Sequence, residues 1–346
     1  MKRNLRIFGI VLLTVFLLAI FLRRSDPGEV WALLRAVNPL WLIPGFAANL
    51  CALVCRVQRW RTILRPSSPP RFYPTFFAAA IGFMSSALLP IRAGDVIRPA
   101  LLSRRTDIRF SSALGTVLTE KILDITAICT LFVGFVIVTF SASEPIGEAR
   151  GVFLRSAGGG AAVLLTGVVT LVGSTYLFRD RVRRLVEWIS RILPHRLRES
   201  FLNLFDSFIH SLRLPRNRMA TVRVLLLTAL IWIFLTSQFF FVMKAFGQPL
   251  PYRASILVTA LSILGFSIPT PGGVGGFHKA CQLVLVNFYG FEIDTSVAVA
   301  LVFHLVGTLP ILVTGATLFL HEGMSWKQLG EIEKAVPPAV DLEVEP

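Results

Sequence analysis

Charge is scarce in this sequence, and acidic charge is the scarcer kind. Only 16% of the 346 residues are Asp, Glu, Lys or Arg, against roughly 25% in a soluble domain. A water-facing surface large enough to enclose a chain of this length cannot be built from so few. No phosphate-loop, dinucleotide-binding, catalytic-triad or zinc-protease pattern occurs, so the familiar nucleotide-using and hydrolytic classes receive no support, and no cofactor or metal is expected. The four cysteines, Cys51, Cys55, Cys129 and Cys281, all lie in or beside apolar runs without a matching histidine pair. They read as buried thiols rather than a metal site or a disulfide framework.

What is abundant is apolar: 54% of the residues are hydrophobic. A bilayer core of roughly 30 Å is crossed by about 20 helical residues at 1.5 Å each. Six runs meet that length, Leu5–Leu22, Leu40–Trp60, Ser111–Phe140, Gly158–Phe178, Val222–Phe246 and Ser296–Leu320. Lys2, Arg3 and Arg6 before the first run resemble a signal-peptide start, but Arg23 and Arg24 follow it without a small-residue cleavage pattern. A retained first helix is expected. Two further runs, Phe72–Leu89 and Ser255–Tyr289, are broken by proline and glycine.

The 35 basic residues outnumber the 20 acidic ones, for a net charge of +15. Most of them gather in segments 1–22, 56–73, 90–110 and 179–223, at the ends of apolar runs. That distribution disfavours nucleic acid as the partner, which calls for one basic domain or a recognisable motif, and fits a rim facing anionic headgroups. By the positive-inside rule both termini are cytoplasmic. The two broken elements, about 72–100 and 255–290, then return to the side they entered, from opposite faces. The expected fold is an all-α polytopic membrane protein with about six full spans and two oppositely inserted re-entrant hairpins, and an inverted-repeat-like core is open to it. Residues 1–320 form one membrane domain, with an amphipathic cytoplasmic connector over about 179–221 and a cytoplasmic tail over 321–346.

The breaks carry the chemistry, because unpaired backbone groups at membrane depth require protein or a water-filled cavity around them. In the second, Pro269 and Pro271 remove donors while Gly272, Gly273, Gly275 and Gly276 permit tight turns. A helix starting near Gly276 exposes N–H groups that favour an anion, and His278 and Lys279 in its first turn call for a counter-charge such as a phosphate. In the first, Pro90 ends the apolar run, and Arg92 and Arg98 each offer a planar fork of donors to phosphate oxygens. Asp95 accepts from one of them or caps the next helix. Glu120, Lys121 and Asp124 form a third cluster, whose two carboxylates share a helix face about 6 Å apart. They hold the arginines in a buried ion network, or contact substrate or a coupling ion. Asn49 and Gln238 line the same cavity or make local interhelical bonds, and His304 reads as a packing residue. If both tips reach mid-membrane, one central polar site results.

Four motifs stand out: Arg56-x-x-Arg59-Trp60, Leu89-Pro90-x-Arg92-x-Gly94-Asp95-x-x-Arg98, Glu120-Lys121-x-x-Asp124 and Pro269-Thr270-Pro271-Gly272-Gly273-x-Gly275. In this order and spacing the chain resembles the bacterial flippase-like membrane family that includes the transmembrane region of lysylphosphatidylglycerol synthase. The resemblance covers roughly residues 5–320. It implies an inner-membrane protein that moves an anionic phospholipid or lipid-linked phosphate between leaflets. Asp95 stands where the family leads one to expect glutamate, and His278 where an acidic residue is commoner. The synthase's soluble aminoacyl-transfer domain has no counterpart, so lysyl transfer is not implied. Two rivals stand beside this reading: an integral-membrane enzyme that transfers or hydrolyses a lipid-phosphate headgroup, and a non-transporting scaffold.

Overall fold

The computed structural model describes residues 12, 14–64, 70–89, 93–141, 148–177, 179–190, 198, 202, 218–266, 270–325 and 328. Every regular element among them is helical. Residues 14–22 form α1, the visible part of the first expected span. It is followed by α2 (Pro27–Ala36), α3 (Leu42–Ile63), α4 (Phe72–Leu88), α5 (Gly94–Arg105), α6 (Phe110–Ser141) and α7 (Glu148–Leu177). After α8 (Arg179–Ser190) come α9 (Arg218–Ala245), α10 (Tyr252–Phe266), α11 (Gly276–Tyr289) and α12 (Ile293–His321).

Five described stretches are long and apolar enough to cross a bilayer: Pro39–Ile63, Phe110–Ser141, Arg150–Thr170, Arg218–Ala245 and Ile293–His321. Their outer faces leave Val163, Leu226 and Val313 more than half exposed, where only lipid removes the cost of hydrating them. The protein is an all-α polytopic membrane protein. One boundary differs from the sequence expectation: α7 starts at Glu148, ten residues before Gly158. Arg150 and Arg155 dilute the hydropathy of that stretch without breaking the helix, so an apolar count starts late. α8 lies in the expected amphipathic connector; most of the rest of 179–221 falls outside the described residues.

Local signals set the helix ends. Asp26 caps α2, its Oδ1 accepting from Gly28 N at 2.7 Å, with Pro27 at the first position. Gly290 ends α11 in the left-handed region (φ 70°).

The elements that position the site are two hairpins. α4 and α5 pack against each other, as do α10 and α11. With 17, 12, 15 and 14 residues, each arm is about 18–26 Å long at 1.5 Å per residue, short of a full crossing. A glycine contact closes each hairpin near its tip. A Cβ built on Gly94 would stand 1.7 Å from the Gly82 carbonyl oxygen, and one on Gly265 would stand 2.4 Å from that of Gly276. Small residues here let the two backbones touch.

The long helix α12, 29 residues and about 43 Å along its path, relates the hairpins to each other. At its C-terminal end Glu322 bonds Tyr73 and Arg105, the base of the first hairpin. At its N-terminal end Ile293 follows closely on Tyr289, the base of the second. The bases of the hairpins therefore lie at opposite ends of α12, and their tips meet. α4 packs on the 3-10 turn Pro271–Gly273, and the Ala87 carbonyl lies 3.0 Å from a Cβ built on Gly272.

The order long helix, hairpin, long helix occurs twice, as α3 to α6 and as α9 to α12. α3 and α9 pack along each other at the centre. The buried apolar side chains divide accordingly into two clusters, one around each hairpin, including Phe77, Ile81 and Leu102 in one and Leu257, Leu285 and Phe303 in the other. The two halves are not packed identically. α4 fits closely on α12, where a Cβ on Gly315 would stand 2.5 Å from Met84 Cβ. Its counterpart α10 shares less surface with α6.

Candidate functional site

Helical spacing gathers the polar residues. On α3, Asn49, Arg56 and Arg59 stand seven and three residues apart and so share a face. Asp95 and Arg98 are one turn apart on α5, and Glu120 and Asp124 one turn apart on α6.

Arg59 is the hub, only 1% exposed. Its Nη1 lies 2.7 Å from Asp124 Oδ1 and its Nε 3.5 Å from Glu120 Oε1. The same Nη1 donates to Thr228 Oγ1 on α9 at 3.2 Å. Glu120 Oε2 takes Arg98 Nη2 in a buried ion pair. The Arg98 guanidinium also lies 4.2 Å from the Trp60 ring centroid, a cation–π contact that the Trp60 Nε1 bond to Thr116 Oγ1, 2.8 Å, holds in orientation. Charges this deep are tolerated because each has a partner; removing one member leaves another uncompensated at a cost of about 3–5 kcal/mol.

Beside this network, where the hairpin tips meet, is a cavity of about 380 Å³. One wall is charged, with Arg56, Asp124 and the Asp95–Lys121 pair, whose Oδ1 and Nζ are 2.9 Å apart. Most of the remaining lining is apolar and aromatic, including Trp232, Ile263, Phe277 and Phe303. His304 belongs to it, its Nε2 2.9 Å from the Gly272 carbonyl oxygen. Because a carbonyl only accepts, that imidazole nitrogen carries the proton. Asn49 and Gln238 also line the cavity: the Asn49 Nδ2 donates to Gly307 O at 2.9 Å and Gln238 Oε1 at 3.4 Å, tying α3, α9 and α12 together. Ile125 on α6 and Leu264 on α10 line the cavity and are 40% and 55% exposed. The two helices pack against each other, and these side chains stand where that contact borders the cavity.

Arg56 differs from its neighbours. Its guanidinium lies 5.4 Å from the Phe83 ring centroid, and among the described residues no carboxylate stands in salt-bridge contact with it. The sequence motif contains Arg56 and Arg59 but assigned neither a role. Their seven- and ten-residue distance from Asn49 is the signal that could have placed all three on one face.

The other sequence-selected residues fall as follows. Arg98 is turned to Glu120 and is not part of the cavity wall. Gly272, Gly273 and Gly275 adopt φ of 59°, 70° and 88°, and a Cβ on Gly273 would stand 2.1 Å from the Phe266 ring. The helix α11 starts at Gly276 without a side-chain cap. His278 is buried against the ring of His304, centroids 4.5 Å apart. Lys279 points outward and donates to Gln282 Oε1 at 2.7 Å. Pro271 lies in the 3-10 turn. Pro90, Arg92 and Pro269 fall outside the described residues.

Outside the spans, Glu322 fastens the first hairpin's base. It accepts from Tyr73 Oη at 2.6 Å and from Arg105 Nη2 at 2.7 Å. The hydrogen bond from Arg105, then that from Tyr73, hold its carboxyl down at about 2.

A polytopic α-helical membrane protein with a largely apolar cavity, charged at a few positions, between two meeting hairpins is the class that fold and site define. The family model for the lysylphosphatidylglycerol synthase TM region matches residues 6–315, and the chain belongs to that family. Among curated proteins it is similar to a protein of Haloferax volcanii named glycosyltransferase AglD, at 26% identity over 93% of this chain and 55% of that one. The chain therefore spans about half the length of that relative. It is also similar to a UPF0104 membrane protein of Methanothermobacter thermautotrophicus, at 22% identity over 92% of this chain and 95% of that one.

Proposed function

We propose that the protein moves an anionic phospholipid or lipid-linked phosphate between the leaflets of the inner membrane. The observation that carries this reading is Arg56: a cavity-facing guanidinium without an ion-pair partner among the described residues, in a largely apolar lining. A lipid phosphate supplies the bidentate acceptor that guanidinium fits. In this reading the cavity opens to the bilayer between Ile125 and Leu264, so that acyl or prenyl tails stay in the bilayer while the headgroup occupies the cavity.

Each part of the architecture has a task in this reading. The hairpins are re-entrant and inserted from opposite faces, with the cavity at mid-membrane depth, as in transporters built from inverted halves. The basic ends of the helices face the cytoplasm, and with them both termini and the tail from 321. Arg98, Glu120 and Arg59 hold the first hairpin in place; Asp95, Lys121, Asp124 and Asn49 shape the polar wall. Arg92 collects the headgroup near the first tip, and the Gly272–Gly276 turn with His278 and Lys279 completes the route beyond.

Reconstitution tests this. Vesicles carrying the purified protein and a panel of headgroup-labelled lipids are followed for accessibility from one leaflet. Exchange of an anionic lipid above the empty-vesicle rate, lost in Arg56→Ala, supports the reading; rates equal to empty vesicles for every lipid in the panel end it.

The glycosyltransferase name of the Haloferax relative favours a second reading, in which the site presents a lipid-linked phosphate to a group-transfer reaction. A chemically altered lipid recovered from purified protein separates that reading from exchange of unchanged lipid.

A further inference from the structure

The tip of the second hairpin brings two imidazoles together, His278 from its own second arm and His304 from α12. His278, in the first turn of α11, is 3% exposed, and its Nδ1 has no hydrogen-bond partner among the described residues. Its ring centroid is 4.5 Å from that of His304. His304 lines the cavity and donates from Nε2 to the Gly272 carbonyl, which leaves its Nδ1 unprotonated in the neutral ring. Two neighbouring imidazoles with unprotonated nitrogens accept one proton between them; a second would set two cations within about 5 Å of each other in an apolar surround.

Few other charges face the pair. The described part of α1, residues 14–22, supplies Phe21, 5.3 Å from the His278 ring, and no charged side chain. On α10 the one charged residue is Arg253, thirteen residues and about 20 Å from the tip. On α12, Asp294 and His321 sit at the two ends, and on α11 Lys279 is turned outward to Gln282. The apposed tip of α4 carries no ionisable side chain between Phe72 and Leu88 except Tyr73 at its base. The cavity that His304 lines also carries Arg56, Asp124 and the Asp95–Lys121 pair.

We propose that the His278–His304 pair is a proton-binding site coupled to anion binding in the cavity. This rests on the transport reading above. With the cavity empty, the pair is buried without a counter-ion and stays neutral. An anionic headgroup at Arg56 supplies the counter-charge, so the pair takes up one proton as the headgroup enters. By linkage the proton tightens the headgroup by the same factor. The headgroup travels with a proton, and a proton gradient can bias its direction without any nucleotide.

The test uses the full chain in detergent and dihexanoyl phosphatidylglycerol, whose phosphodiester does not titrate between pH 5 and pH 8. Calorimetry in two buffers of different ionisation enthalpy counts protons taken up on binding. Wild type is expected to take up close to one proton, with affinity rising towards about tenfold per pH unit as pH falls. His278→Gln and His304→Gln are expected to bind with no uptake and a flat pH profile. Glutamine at 304 keeps a donor for the Gly272 carbonyl, so a purely structural role would leave the pH slope unchanged. Binding without proton uptake in wild type, or a slope that survives in both variants, overturns the proton site and leaves the transport reading standing. No binding at any pH overturns both.

Discussion

The Ala87 carbonyl, at the end of one hairpin's first arm, stands 3.0 Å from the place a Cβ on Gly272 would occupy in the other hairpin's turn. At that point the two interrupted elements of the chain, nearly 200 residues apart in sequence, touch, and the cavity with its unpaired arginine lies beside it. Gly272 also has φ 59° there, a conformation open to glycine and strained for most other residues. Gly272→Ala therefore meets both a steric and a backbone penalty. A loss of about 1–3 kcal/mol is expected, read as a lower melting temperature in detergent, with a larger fall in lipid exchange because the tip itself is displaced.

Within the hairpins the tolerance is smaller. Gly94→Ala drives a methyl into the Gly82 carbonyl, and no rotamer relieves a clash with backbone. Loss of folded protein, measured as the monodisperse fraction after extraction, is expected for Gly94→Ala. Gly134→Ala, where nothing stands within 4 Å, should match wild type.

The ion network predicts a different pattern. Glu120→Ala leaves Arg98 without its carboxylate and Arg59 with Asp124 alone, at about 3–5 kcal/mol. Replacing Arg98 and Glu120 together with methionine and leucine should recover most of that loss. Thermal unfolding of the single and double variants gives the comparison; a double variant as unstable as Glu120→Ala would show that the pair is not the unit.

Acid stability should depend on Glu322. Its carboxyl is held at about 2 in the folded protein, first by the Arg105 hydrogen bond and then by Tyr73, below the usual value of about 4.3. A depressed carboxylate stabilises the fold above its unfolded value, and the advantage disappears as pH falls through the folded one. Wild type should thus melt above Glu322→Gln at pH 6, with the gap closing between about pH 4.5 and pH 2. A constant gap across that range would mean that the contact acts through shape rather than charge.

The proposed lateral opening can be narrowed without touching the charged wall. Leu264→Trp and Ile125→Trp enlarge exposed side chains that line the cavity. Exchange of a long-chain lipid is expected to slow about tenfold or more, while binding of the short-chain phosphatidylglycerol changes less than threefold.

Much of this was legible in the chain because lipid makes strong demands. Apolar runs of fixed length gave the long helices, and Pro90 with Pro269–Gly276 marked the two places where an apolar run divides into two short helices. The fourfold spacing of Glu120 and Asp124 placed both carboxylates on a common face, and both do pair with Arg59. What stayed hidden depends on contacts between distant segments. Nothing local distinguishes Arg98, committed to Glu120, from Arg56, which has no such partner; only the packing of α3, α5 and α6 separates them. His304 read as a packing residue because its neighbour, Gly272, is 32 positions away. The repetition of the two halves was open to the sequence reading but could not be aligned there, for a similar reason. It survives in a few glycines, Gly82 with Gly94 and Gly265 with Gly276, whose meaning emerges only when the backbones are seen in contact.

Those glycine contacts also determine how the protein can move. Two helices whose main chains already touch cannot slide past or lean away from one another without losing the fit, so each hairpin behaves as a single stiff lever pivoting at its base. Glu322 is the pin at one pivot. A rotation at either base would therefore be carried as a whole to the facing tips and the cavity between them.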